Sequence, residues 1–151
     1  MLQKNDFLSK RIAHWDSVYN ERDPEAGLGA SYRGSLSTTY RFLVSEGSTV
    51  LEIGCGRGDL LAATSPKRGV GVDFSSVAVE QAKARHPELE FVCGEATEFQ
   101  PQESFDVIIL FDLLNDVWDV QELLAQVREW SAPHTRIIIN SYSRVWQPPI
   151  S

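Results

Sequence analysis

Apolar residues along the chain follow two rhythms, and the change from one to the other falls near Thr49. Ahead of it, Leu8, Ile12, Trp15 and Tyr19 recur at steps of four, three and four. That spacing stacks them on one face of a helix. Arg22-Asp23-Pro24 and the glycines Gly27 and Gly29 then mark a loop. Tyr32, Leu36, Tyr40 and Leu43 form a second helical stripe, which Gly47 can stop. Two helices are therefore expected before the first strand.

From Thr49 onward strands and helices alternate. Thr49–Ile53 reads as a strand, and a helix should begin near Asp59. Gly69–Asp73 is a second strand, after which Ser75 or Ser76 can cap a helix that proline ends near His86-Pro87. Glu90–Cys93 is a short third strand. Val107–Phe111 is apolar throughout, as a strand covered on both faces must be. Asp119 with Glu122 resembles a capping box and opens the stripe Val120, Leu123, Leu124, Val127 and Trp130. Ala132-Pro133 stops that helix, and Arg136–Asn140 is the fifth strand. Such alternation implies parallel pairing with helices on both faces, a doubly wound α/β domain. A ligand should then sit beyond the carboxyl ends of the strands, where strand order reverses.

Bulk properties narrow the partners. A chain of 151 residues fits one domain, and 42% apolar and 23% charged residues are ordinary for a globular protein. The expected division is N-terminal helices over 1–47 and an α/β core over 48–146. A net charge of −7 with scattered Lys and Arg, in no run longer than a pair such as Lys10-Arg11, disfavours a nucleic-acid partner. Only Cys55 and Cys93 are present, too few for a disulfide framework or a thiolate metal site. No two histidines stand at helical i, i+4 spacing, so no metal is expected. There is no signal-type leader and no apolar stretch near 18 residues, so a cytoplasmic location is expected.

Candidate chemistry gathers after the first two strands. Glu52-Ile-Gly54-Cys55-Gly56-Arg-Gly58-Asp59 follows strand one. Glycines there permit positive φ and let a ligand approach the backbone, and the next helix offers free N–H groups. The spacing is G-x-G-x-G, not the G-x-G-x-x-G of dinucleotide enzymes. Asp73 ends the second strand nineteen residues after Gly54, where a carboxylate can hold ribose hydroxyls. Taken alone it reads equally well as a helix cap.

Val50–Gly58 resembles the first motif of class I S-adenosylmethionine-dependent methyltransferases, and Gly71-Val-Asp73-Phe74-Ser75 resembles their second. Gly94-Glu95-Ala96 is similar to the pair after their third strand, and Phe105–Leu110 to their fourth strand. The likeness runs from about Thr49 to Asn140. It implies a Rossmann-like, mostly parallel sheet and S-adenosyl-L-methionine as cofactor. Gly54, Cys55 and Gly56 would pack on its methionine part, with Glu52 near the amino group and the carboxylate toward the helix end after Gly58. Asp73 would hold the ribose, Phe74 would lie on the adenine, and Glu95 and Ala96 would meet its edge. Glu95 departs from the Asp more usual there. Phe111 and Asp112 would flank the sulfur.

The acceptor is less marked, because an activated donor needs alignment more than a fixed catalytic group. Leu113-Leu114-Asn115-Asp116 follows the fourth strand and is not Asn-Pro-Pro-Tyr, which favours a small-molecule or carrier-linked acceptor, lipid or sugar-type included, over a nucleobase. No general base is recognisable. His14, Trp15 and Tyr19 read first as a packing face, with a roof over the site as the alternative. Asn115 and Asp116 read equally as the start of a helix, and His86 and His134, beside prolines, as exposed turn residues. Relatives continue past strand five, so the chain is expected to be a fragment, or else its fifth-strand edge to pair with a second copy. Two other functions remain open at this point: a nicotinamide-dependent oxidoreductase, and a module that holds the donor without transferring methyl.

Overall fold

The computed structural model describes residues 2–21 and 27–141. Its elements are α1 (Leu2–Glu21), α2 (Gly27–Leu43), β1 (Thr49–Ile53), α3 (Asp59–Ala63), β2 (Arg68–Asp73), α4 (Ser76–Arg85), β3 (Glu90–Cys93), β4 (Val107–Phe111), α5 (Val120–Trp130) and β5 (Arg136–Asn140). The strands fall where alternation and turn residues place them. The loop expected through Gly27 and Gly29 does not: both belong to α2, whose apolar stripe outweighs the helix cost of glycine. Arg22, Asp23 and Pro24 lie outside the described residues.

The five strands pair in parallel in the order β3-β2-β1-β4-β5. The chain builds outward from β1 to β3, then returns to the other side of β1. Right-handed crossovers made in opposite directions put their helices on opposite faces. On one face Tyr40 of α2 with Val44 just past its end, Leu60 and Leu61 of α3, and Val79 and Ala82 of α4 pack against Val50, Phe91, Val107 and Ile109. On the other, Leu123, Val127 and Trp130 of α5 cover Leu51, Ile53, Val70, Val72, Ile108 and Leu110. Odd and even strand positions serve different cores, which is why β4 is apolar throughout.

Local chemistry sets the helix starts. Ser75 is the N-cap of α4, its hydroxyl accepting from Ala78 N–H at 3.1 Å. Asp119 caps α5, accepting from Glu122 N–H at 3.0 Å. At the β5 edge Ile138 turns inward, whereas Ile137 and Ile139 are each 45% exposed on the α5 side. Among the described residues, no helix is long and apolar enough to cross a membrane.

Candidate functional site

The reversal of strand order between β1 and β4 opens the carboxyl ends of the sheet at one place, and the glycine turn after β1 lies there. Gly54, Gly56 and Gly58 all have positive φ, at 79°, 52° and 76°. The turn is anchored on β2: the N–H groups of Gly54 and Cys55 donate to the Val72 carbonyl, and Gly56 N–H donates to Asp73 Oδ2 at 2.8 Å. Asp73 Oδ1 accepts from Ser75 N–H at 2.9 Å. Asp73 is therefore more than a helix cap. It ties the glycine turn to the start of α4. A carboxylate has about four acceptor positions, and the two backbone N–H groups use half of them. Burial pushes its pKa up, the Ser75 and Gly56 amides pull it back, and Asp16 and Asp116 push it up again.

Phe74, Glu95 and Ala96 meet as the sequence suggests. Together with Leu8, Leu113, Asp116, Val117 and Trp118 they line a hollow of about 20 Å³. Glu95 accepts from Thr97 Oγ1 at 2.7 Å and faces Lys4 at 3.5 Å. On the far side of the glycine turn, a Cβ at Gly54 would lie 3.2 Å from Leu113 and 3.4 Å from the Phe111 carbonyl. Phe111 meets Tyr40 edge-on. Asp112 adopts a left-handed φ of 46° and accepts from Asn140 Nδ2 at 2.9 Å, while Tyr40 donates to Asn140 Oδ1 at 2.7 Å. Burial first, and Asp116 second, raise Asp112 to about 6.

Glu52 is fully buried in β1, and neither of its carboxylate oxygens makes a hydrogen bond of ordinary geometry. Burial pushes its pKa well up, and the nearby Leu61 amide offsets that only in part. A buried acid without partners is a costly feature that a protein keeps for a ligand or for its neutral form.

Two of the expected residues also serve the fold. The Cys55 thiol packs under the turn, 2.8 Å from where a Cβ on Gly71 would stand. Gly58 is backed by the Phe91 ring, 2.5 Å from its own would-be Cβ. The helix it opens has only five residues and begins with Asp59, so it offers an anion less than the motif suggests. His86 is not an exposed turn residue: it is half-buried and bonds Asp59 at 2.9 Å.

The site also has residues that sequence reasoning missed. The stripe of α1 does pack on the domain, and what it packs on is the rim of the site. Trp15 Nε1 donates to Asp116 Oδ2 at 2.9 Å, Arg11 pairs with Asp116 Oδ1, and Ser75 Oγ donates to Asp16 Oδ1. The Arg57 guanidinium lies 5.1 Å over the Tyr19 ring and donates to its carbonyl at 2.9 Å. The apolar stripe signalled a buried face, but nothing local marked Arg11, Asp16 or Lys4. His14 remains exposed beside Trp15.

A family model described as a methyltransferase domain matches residues 50–134. Phosphoethanolamine N-methyltransferase 1 of Arabidopsis thaliana is 30% identical over 98% of the chain, which spans 31% of that relative. A probable S-adenosylmethionine-dependent methyltransferase of Mycolicibacterium smegmatis is 28% identical over 68% of the chain and 41% of its own length. The chain thus spans about a third to two fifths of the curated relatives it matches. Among solved structures, the Haemonchus contortus phosphoethanolamine N-methyltransferase 1, in complex with phosphoethanolamine and S-adenosylhomocysteine, superposes with a TM-score of 0.75. It covers 93% of this chain and 33% of its own at 18% identity, which speaks to the fold.

Proposed function

The chain belongs to the methyltransferase-domain family, and from that premise we propose that it binds S-adenosyl-L-methionine at the carboxyl rim of the sheet and serves methyl transfer to a small acceptor. The observation that carries this reading is the joint between Gly56 N–H and Asp73, beside the hollow lined by Phe74, Glu95 and Ala96. The residues suit the group. The acceptor positions left on the Asp73 carboxylate match a pair of vicinal ribose hydroxyls. The partnerless Glu52 carboxyl suits an ammonium, and Gly56 gives the approach that a side chain would block.

When bound, the donor supplies an activated sulfonium whose methyl passes to a lone pair of the acceptor. The chain's own residues have the work of placement. Asp73 holds the sugar, Phe74 and Ala96 take the base, Glu95 accepts from its amino group, and Phe111 and Asp112 stand at the end where transfer occurs. Asp112, raised to about 6, is a proton acceptor at neutral pH for an acceptor group that keeps its proton. The relatives matched along nearly the whole chain are named for phosphoethanolamine, which supports a small polar acceptor. Residues 1–151 count as one domain in this reading, divided at 47/48 into N-terminal helices and core; residues 22–26 and 142–146 of that division lie outside the described residues.

Calorimetric titration with S-adenosylhomocysteine and with NAD⁺ tests the proposal. Saturable one-to-one binding of the first and none of the second is expected. Binding of NAD⁺ alone would return the chain to the oxidoreductases. Release of S-adenosylhomocysteine from S-adenosylmethionine in the presence of small amine or hydroxyl acceptors separates an enzyme from a holding module.

A further inference from the structure

Resting on the reading of Asp112 as proton acceptor for methyl transfer, we propose that Asn140 is its positioning residue, a clasp that commits part of the Asp112 carboxyl and leaves the rest to the acceptor. Parallel pairing sets Phe111 opposite Asn140 at the ends of β4 and β5. The chain turns left-handed at the next residue, Asp112, with a φ of 46°. Its N–H donates to the Asn140 carbonyl at 3.2 Å, and its carboxyl meets the Asn140 side chain. Backbone and side chain of Asp112 are thus both held by one residue of the neighbouring strand.

The side-chain contact has a fixed direction. A carboxylate only accepts, so the Asn140 NH₂ group must face Asp112, with Nδ2 at 2.9 Å from Oδ1. The amide oxygen is thereby turned to Tyr40, whose hydroxyl donates to it at 2.7 Å. Tyr40 keeps its proton at neutral pH, because burial first, then Glu52 and Asp112, raise it above its ordinary value. Asn140 Nδ2 also lies 3.5 Å from the Tyr32 hydroxyl, which in turn hydrogen-bonds Asp112. Asn suits this place because one short planar group carries a donor for the carboxylate and an acceptor for the phenol. Asp would set two carboxylates face to face, and Leu would leave Tyr40 without its acceptor. Asn140 carries no charge, so it orders the carboxyl without the strong pull to low pKa that a Lys or Arg would exert. The charged groups around the cluster are Asp116 of the following loop, paired with Arg11 of α1, and Glu52 of β1, which acts on Tyr40.

The test follows Asp112 in the 151-residue chain by carboxyl-carbon NMR against pH, in the wild type, Asn140→Leu and Asn140→Asp. The wild type should titrate at about 6. Its Asn140 side-chain NH₂ signals should move with the same midpoint, a measurement that needs no variant. Asn140→Leu removes a donor to the charged form while the backbone bond stays, so the Asp112 midpoint should rise by about one unit. Asn140→Asp should titrate in two steps, the upper at least about one unit above the wild type. Amide signals that stay flat while Asp112 titrates overturn the clasp. So does a folded Leu variant whose midpoint is unchanged or falls toward the ordinary carboxylate range. If neither variant folds, the wild-type amide signals decide.

The role in transfer is read from S-adenosylhomocysteine release with small amine and hydroxyl acceptors, phosphoethanolamine first. Release should rise with pH through the wild-type midpoint and move up with it in Asn140→Leu. A profile that stays put while the Asp112 midpoint moves overturns the role in transfer. A wild type that binds S-adenosylhomocysteine in calorimetry yet releases none with any acceptor is a holding module, and the transfer reading falls together with this role. A wild type that binds none overturns the donor reading itself.

Discussion

Replacing Asp73 with Asn tests the joint on which the site depends. In the wild type, one carboxylate oxygen accepts from Gly56 N–H at 2.8 Å and the other from Ser75 N–H at 2.9 Å. Asn keeps one acceptor and turns its NH₂ group against the second N–H. One charge-assisted bond, about 1.5–3 kcal/mol, is lost, and the other falls to the roughly 0.5–1.5 kcal/mol of a neutral bond. Burying an amide costs less than burying a carboxylate, which returns part of the loss. The net fall in stability should be about 1–2 kcal/mol, read by urea unfolding at pH 7. The donor is affected separately. Two ribose hydroxyls on a carboxylate become one on a neutral oxygen, so S-adenosylhomocysteine should bind about 10- to 100-fold more weakly by calorimetry. Asp73→Ala should weaken it at least about tenfold. A folded Asn variant with wild-type affinity removes Asp73 from the ribose site. One with wild-type stability shows that the two amide bonds do not tie the turn to α4.

Other residues give sharper single outcomes. Gly58→Ala places a Cβ 2.5 Å from the Phe91 ring at a φ of 76°, and left-handed strain with overpacking should together cost about 2–4 kcal/mol in urea unfolding. Asp112, raised to about 6 when folded, binds its proton more tightly there than in the unfolded chain. Its contribution to stability is therefore present below about pH 4 and fades as pH rises through about 6. Asp112→Asn, which cannot ionise, should gain on the wild type by about 1 kcal/mol between pH 4.5 and 7.5, a figure reduced for solvent screening of a half-buried group. Equal pH profiles for the two proteins would contradict that assignment. The exposed Ile137 and Ile139 should drive self-association. Ile139→Lys should lower the mass seen by light scattering at high concentration without changing donor affinity, and a wild type that stays monomeric there refutes the edge as a contact.

Much of this protein is written locally. Alternation of period two against period 3.6, with Ser75, Asp119 and Gly47 as punctuation, is enough to place the five strands and the helices between them. The continuous apolarity of Val107–Leu110 already announces a strand covered on both faces. The meeting of Gly56 with Asp73 was legible too, because adjacent parallel strands joined by one helix bring their carboxyl ends together whatever the details.

Other features had no local mark. That the Cys55 and Gly58 positions face the core depends on Phe91 and Gly71, which reach them only once β2 and β3 pair. The extent of α2 through Gly27 and Gly29 runs against the intrinsic preference of glycine, which is what a local reading uses. The rim held by α1 is the furthest from local reading. Arg11 and Asp116 stand 105 residues apart, and Tyr19 finds Gly56 only because the sheet presents its strand ends to one helix. Sequence alone determined the elements, the parallel sheet and the family, because these depend on periodicity and on turns of a few residues. Which side chain covers the glycine turn was decided by tertiary structure, because a contact between remote residues exists only after the topology has set the distance between them.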